Sequence, residues 1–343
     1  MRQNGPHMQT SGRGKRLTAI VATVAAGAAL TASPAAADAN LGKSPERAVC
    51  SAPANSSSRT PRIDPCQTDP IEISIKGSPK VVGVLRKVRV EGSIATPTPG
   101  AQVTMRAFAG KRKVEAAKVA TDPTTGAFSW TFETRDCCRY SVFGEWAGER
   151  SNPVSFKIAV PGHLGAGPRT KFFNKLLRQA GYHQASVSRR LNWSSRLAML
   201  AFRKVNGMSW NSAYSRKIFR LLLEGKGEFK PKHPGAGAHV EVDISRQVMA
   251  FVKKGKAVHV FHVSTGAPSS PTIQGKFRFY LRQPGYNGKM MYYSVYFSGN
   301  YATHGFDPVP NYNASHGCVR NPIPYSVFIY NWIELGMTIY VYQ

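Results

Sequence analysis

His239-Val240-Glu241-Val242-Asp243-Ile244 alternates apolar and polar side chains with period two, the pattern of a half-buried strand. Val248 to Val252 repeats the pattern, Lys253-Lys254-Gly255-Lys256 reads as a hairpin loop, and Ala257 to Val263 is the next strand. A β-rich domain is therefore predicted over residues 237–343. Within it, Tyr301-Ala302-Thr303-His304-Gly305 precedes Ser315-His316-Gly317-Cys318-Val319-Arg320. A lone Cys with an upstream His is a candidate nucleophile and base. A free thiol, with a pKa of about 8.5, is mostly protonated at neutral pH, and a neighbouring imidazole can take its proton to leave a thiolate–imidazolium pair. Gly317 lets the backbone approach an acyl carbon closely, and the amides around Cys318 are expected to donate to a developing oxyanion.

The order of short motifs in this domain resembles that of the YkuD-type L,D-transpeptidase catalytic domain. Ser315 to Arg320 matches its SHGCxR signature. Val263-Ser264-Thr265-Gly266 and Pro271-Thr272-Ile273-Gln274-Gly275-Lys276-Phe277 are similar to its STG and TPTGxF steps, with Ile273-Gln274 a departure. Met291-Tyr292-Tyr293-Ser294-Val295-Tyr296-Phe297 leads into His304-Gly305, similar to the family's strand ending in HG. Ten residues separate His304 from Ser315, a short loop for the family. The resemblance implies Cys318 as acyl acceptor, His304 as its base and the Gly305 carbonyl as the group orienting the imidazole. Ser315, His316 and Gly317 would shape the site, with His316 a second-choice base. Arg320 would support the site or a substrate carboxylate, and Tyr292, Tyr293 and Tyr312 would line the cleft.

No cofactor is expected. His259 and His262 lie three apart on a predicted strand, so they face opposite ways and cannot share one ion. His304, His316 and Cys318 could hold zinc, but the set lacks a carboxylate or a second Cys pair.

Residues 163–236 change to helical periodicity. Phe172, Phe173, Leu176 and Leu177 form one apolar face; Leu197, Met199, Leu200 and Phe202 a second; and Ile218, Phe219, Leu221, Leu222 and Leu223 a third. Gly181 and Gly207 end the first two helices, which predicts a small three-helix bundle. Gln179-Ala180-Gly181-Tyr182 and Leu200 to Met208 resemble the patterns of peptidoglycan-binding helical domains, although Arg203 stands where that family has Gln. The segment carries 15 Lys plus Arg against Glu224 and Glu228, a net charge of +13 in a chain of net charge +28. A basic segment of this kind is either a solvated face or an anchor to an anionic polymer.

Residues 71–160 alternate again, as in Ile71-Glu72-Ile73-Ser74-Ile75 and Val88-Arg89-Val90-Glu91-Gly92. Thr96 to Gly100 and Asp122 to Gly126 supply turns. An immunoglobulin-like β-sandwich is predicted, with a spacer role as its simplest use. Residues 38–70, rich in Ser, Pro, Ala and Asn, read as a flexible arm. Residues 1–37 combine a basic start, the uncharged run Leu17 to Ala32 and Ala35-Ala36-Ala37, which reads as a secretory signal peptide, with an uncleaved anchor as the alternative. Of five cysteines, Cys50, Cys66, Cys137 and Cys138 form an even set, leaving Cys318 free. Adjacent Cys137 and Cys138 would point apart on a strand, so each is expected to reach Cys50 or Cys66.

The fold class is multidomain and mainly β: sandwich, helical bundle, β-rich catalytic domain. The family resemblance implies peptidoglycan stem peptides as substrate, a thioester on Cys318, release of a terminal D-alanine and 3→3 cross-links, with carbapenems as inhibitors. Alternatives are an L,D-carboxypeptidase and a non-catalytic wall-binding protein. Export directs the excess positive charge to anionic cell-wall polymers rather than nucleic acid, with no stable membrane anchor and the oligomeric state left open.

Overall fold

The computed structural model describes residues 70–343. The expected signal peptide, the arm up to residue 69, Cys50 and Cys66 lie outside the described residues. The protein is mainly β. Among the described residues, no helix is long and apolar enough to cross a membrane.

The amino-terminal segment contains β1 (Ile71–Ile75), β2 (Val81–Gly83), β3 (Lys87–Ile94), β4 (Gln102–Ala109), β5 (Arg112–Ala120), β6 (Ala127–Glu133), β7 (Arg139–Trp146), β8 (Glu149–Arg150) and β9 (Val154–Ala159). They make two sheets, one ordered β1-β3-β6 and one ordered β2-β9-β7-β4-β5 with β8 beside β7. The period-two pattern does what it predicts: Phe128, Trp130 and Phe132 of β6 face inward while their neighbours face out. Trp130 stacks on Phe132 at 4.7 Å and Tyr140 on Phe156 at 5.3 Å between the sheets. Asp122 Oδ1 accepts the amides of Thr124 and Thr125 to form the expected turn.

Cys137 and Cys138 depart from expectation. They lie in the β6–β7 connection rather than on a strand, and they are bonded to each other. Opposite-facing side chains are a property of extended strands. Here the two Cα atoms are only 3.1 Å apart, which brings both sulfurs to one side. The pairing with Cys50 or Cys66 is thereby excluded.

The helices are α1 (Pro168–Gln179), α2 (Trp193–Val205) and α3 (Arg216–Leu223). Pro168 opens α1, where its missing N–H costs nothing. Asn192 caps α2 by accepting the Ser195 amide, and Ser215 caps α3 by accepting that of Ile218. Arg203 donates to the carbonyls of Ser209 and Ala213, fastening the loop after α2.

The carboxy-terminal segment contains β10 (His239–Asp243), β11 (Val248–Lys253), β12 (Lys256–His262), β13 (Gly275–Arg278), β14 (Leu281–Tyr286), β15 (Tyr292–Ser298), β16 (Tyr301–Phe306), β17 (Val319–Pro322), α4 (Ile323–Trp332) and β18 (Thr338–Tyr342). One sheet runs β12-β11-β10-β18-β13 and the other β14-β15-β16-β17. Within them β10 pairs with β18, and β16 with β17, in parallel. Lys254 and Gly255, both at positive φ, close the predicted β11–β12 hairpin. β10 is buried on both faces rather than one. Its polar face is neutralised internally, because Glu241 accepts from Tyr342 Oη at 2.6 Å and from the amides of Lys232 and His233, and pairs with His239 Nε2 at 3.1 Å.

The three segments share packing. A single cluster of buried side chains combines Val84 from the sandwich, Phe173, Leu177, Phe202 and Phe219 from the helices, and Val248, Ala250 and Val260 from β11 and β12. After α1 the chain also pairs with the edge of β12: Val260 N donates to Gly181 O at 2.8 Å and His183 N to Val260 O at 3.1 Å. The described residues, 70–343, belong to one compact unit. Removing the helical segment would therefore uncover Val248, Ala250 and Val260 on the carboxy-terminal sheet.

Candidate active site

Parallel pairing of β16 with β17 sets His304 opposite Arg320 and Thr303 opposite Val319. Cys318 lies in the turn that leads directly into β17. His304 and Cys318 line one cavity of about 510 Å³.

His304 is 4 % exposed, and its Nδ1 lies 2.9 Å from the Gly305 carbonyl. A carbonyl only accepts, so Nδ1 carries the proton and Nε2 is left as the basic atom. Gly305 has no room for a side chain, since a Cβ would collide with Ser326 on α4. Gly317 sits at φ 111°, and a Cβ there would meet the Tyr301 ring at 2.7 Å. Its carbonyl accepts from Thr272 Oγ1 at 2.7 Å, and Thr272 Oγ1 accepts the Gly266 amide at 2.8 Å. The loop containing Thr272 thus braces the turn that carries Cys318 from behind. Ser315 Oγ donates to the Cys318 carbonyl at 2.5 Å and accepts the Gly317 amide at 3.1 Å. The Gly317 amide is thereby committed, which removes it from the oxyanion donors expected around Cys318.

Cys318 is free and half-buried, with Sγ 3.5 Å from the Asn300 carbonyl. Burial pushes its thiol pKa up, against the opposing pull of the Ala302 amide and the charges of Arg320 and Lys289. Burial, with a smaller push from Arg320, lowers His304 to about 4, although its bond to Gly305 acts the other way. Both shifts favour the neutral thiol and the neutral imidazole over the ion pair expected from the sequence, because desolvation disfavours both charged forms.

Arg320 lies over the Phe306 ring at 4.0 Å and donates from Nη1 to the Ala314 carbonyl at 3.0 Å. Its Nε is buried without a protein partner. His316 is exposed at the cleft rim. His304, Ser315, His316, Cys318 and Arg320 are thus brought together around the cavity, with Gly305 and Gly317 behind it. Tyr293 does not line it: it sits at φ 48° and packs edge-on against Tyr292 and Tyr330. The Tyr312 side chain is 60 % exposed, also outside the cavity lining, and its carbonyl accepts from Ser264 Oγ at 2.6 Å.

The β14–β15 hairpin forms the opposite wall, through residues other than the Tyr292 and Tyr293 expected from the sequence. Gln283, Asn287, Lys289, Met291 and Tyr296 line it. Tyr296 Oη donates to Gln283 Oε1 at 2.8 Å and receives Asn287 Nδ2 at 3.0 Å. Pro284-Gly285 and Asn287-Gly288 signalled turns there, but not that the turn would fold over Cys318. The lining carries two cations, Lys289 and Arg320, and no carboxylate.

The two histidines on β12 do face apart. His259 Nδ1 meets His183 Nδ1 at 3.2 Å, whereas His262 Nδ1 meets Lys204 Nζ at 2.9 Å.

Residues 237–341 match the L,D-transpeptidase catalytic domain (YkuD) family. No curated protein sequence matches the chain significantly. Among solved structures, the chain resembles the L,D-transpeptidase from Xylanimonas cellulosilytica at 25% identity and a TM-score of 0.49, over 53% of this chain and 97% of that one. An L,D-transpeptidase from Stackebrandtia nassauensis follows at 20% identity and a TM-score of 0.34, over 54% of this chain and 98% of that one. An Enterococcus faecium L,D-transpeptidase matches at 24% identity and a TM-score of 0.28, over 31% of this chain; the chain spans only 50% of its length.

Proposed function

Starting from a chain whose residues 237–341 are a YkuD-type L,D-transpeptidase catalytic domain, we propose that the protein transfers acyl groups between peptidoglycan stem peptides through a thioester on Cys318. The observation that carries this reading is the pairing of a free thiol with a buried imidazole whose Nδ1 is held by the Gly305 carbonyl, within one cleft. Because both groups are shifted towards their neutral forms, the thiol proton passes to His304 Nε2 as sulfur attacks the donor carbonyl. The Cys318 amide faces the tetrahedral oxygen. Collapse of that intermediate expels the terminal D-alanine, whose amine takes the proton back from His304. The acceptor amine of a second stem then attacks the thioester, losing its proton to His304, and the 3→3 link forms as the thiol is restored. Arg320, with its unpartnered Nε, and Lys289 are suited to the carboxylates of the donor stem.

Incubation with disaccharide-tetrapeptides is the test. Mass spectrometry should find a cross-linked dimer lacking one D-alanine. A tripeptide product alone would replace this reading with hydrolysis. Cys318→Ala should remain folded and take no adduct from a carbapenem; an adduct on that variant would remove Cys318 as nucleophile.

The excess basic charge fits retention on an anionic wall polymer. Lys171, Lys175 and Arg178 are exposed along α1, and Arg216, Lys217 and Arg220 along α3. Reversing Lys171, Lys175, Lys217 and Arg220 to Glu should weaken co-sedimentation with purified sacculi and flatten its salt dependence, while acylation of Cys318 is kept. Unchanged binding would assign these charges to solvation alone.

A further inference from the structure

Lys204 on α2 is 2% exposed, and no carboxylate among the described residues is bound to it. Its ammonium instead meets three neutral acceptors: His262 Nδ1 at 2.9 Å, the Gln247 carbonyl at 3.2 Å and the Val263 carbonyl at 3.4 Å. The Trp210 ring covers it at 4.7 Å. A buried amine without an acid is a costly filling for a helix face. Burial pushes its pKa down to about 7, which expresses that cost. A methionine would pack the same space without it, so the donors themselves are the feature to explain.

Two of the three acceptors, His262 and Gln247, lead to the turn that carries Cys318. With Nδ1 accepting from Lys204, His262 donates from Nε2 to the Val309 carbonyl at 3.3 Å. Gln247 holds Thr265, receiving its amide at 2.8 Å and donating from Nε2 to its hydroxyl at 2.6 Å. The Thr265 carbonyl in turn accepts the amides of Ala314 and Ser315, at 2.9 and 3.0 Å. Residues 309–315 are thus held at both ends by groups gathered on one ammonium. The same helical segment adds a third tie, from Asn311 Nδ2 to the Trp210 carbonyl at 2.9 Å. Ser315 then holds the Cys318 carbonyl.

We propose that Lys204 is a positioning residue for acyl transfer, clamping residues 309–315 from outside the catalytic domain so that Cys318 is aligned with His304. The kinetic part of this assignment rests on Cys318 being the acyl acceptor; the mechanical part does not.

The test uses the full chain with Lys204→Met, which keeps the volume and removes the donors. Two quantities are read: the rate constant for carbapenem acylation, separated from non-covalent affinity, and amide hydrogen exchange over residues 309–315. Small misplacements of a reacting group cost rate rather than affinity, so a loss of about tenfold in the rate constant is expected, with affinity unchanged within about twofold. Faster exchange should be confined to residues 309–315. Tyr325→Phe, which removes the Tyr325–Ser194 bond between the same helix and α4, serves as the comparison and should alter neither reading. A folded Lys204→Met protein with wild-type acylation or wild-type exchange overturns the clamp. So does an equal loss in Tyr325→Phe, which would reduce Lys204 to general packing. If Lys204→Met does not fold, Asn311→Ala decides. That residue is exposed, and its loss should loosen residues 309–315 and slow acylation; no change in either overturns the proposal. If even the wild-type protein takes no carbapenem, the acyl-transfer reading falls, and the exchange data still decide for or against the clamp.

Discussion

A buried thiol and a buried imidazole in one cavity, both shifted towards their neutral forms, predict an unusual pH response. His304 is depressed to about 4 in the folded protein, so the competent base form is present above that pH and is lost as pH falls through it. The carbapenem acylation rate should therefore rise along an acid limb centred near 4 and stay level through neutrality. A limb centred at the ordinary imidazole value, about 6.5, would show that the pair is solvated in a way the buried geometry does not allow. Because burial raises the thiol, alkylation of Cys318 by iodoacetamide should keep increasing above about pH 8.5, the ordinary thiol value, rather than saturate below it. At this scale the two candidate groups were legible in the sequence, since Cys318 and His304 each stand beside a glycine, and the structure brings both to one cavity. The direction of their pKa shifts was not, because desolvation depends on what folds over them. Lys289, Gln283 and Tyr296 were missed for the same reason: only strand pairing carries the hairpin across to Cys318.

Among the elements, the loop around Thr272 bears on the Cys318 turn without lining the cavity. Thr272→Val removes the acceptor of the Gly266 amide and the donor to the Gly317 carbonyl, both buried. Leaving such groups unpaired costs about 1–3 kcal/mol, so a drop of that size is expected in denaturant unfolding. Thr272→Ser keeps the hydroxyl and should lose far less; equal losses would point to the methyl group's packing instead. The periodic elements were predicted well. Helices α1 to α3 have one apolar face and glycine stops, and β11 and β12 flank a hairpin with its positive-φ pair. By contrast, α4 was not anticipated, because Ile323-Pro324-Tyr325-Ser326-Val327-Phe328-Ile329-Tyr330 is apolar on nearly every side and offers no period. The Cys137–Cys138 pairing was misread by treating a turn as a strand.

Taken whole, the molecule is less divisible than its sequence suggests. Composition changes sharply near residues 163 and 237, yet Val248, Ala250 and Val260 of the catalytic sheet are buried with Phe173, Phe202 and Phe219 of the helices. Residues 237–343 alone should therefore bind the dye ANS and melt at lower temperature and less cooperatively than the full chain. A fragment with full-chain stability would show that this packing is dispensable. Shared burial also has a spatial consequence. A catalytic head on a slack tether sweeps a volume and samples many acceptors, whereas a head fused to its neighbours through a common core keeps one distance and one heading. Wherever the basic helices come to rest, Cys318 would work at a set radius from that point, like the pen of a compass. Spacing between successive products would then be written by the protein's own dimensions rather than by chance encounter.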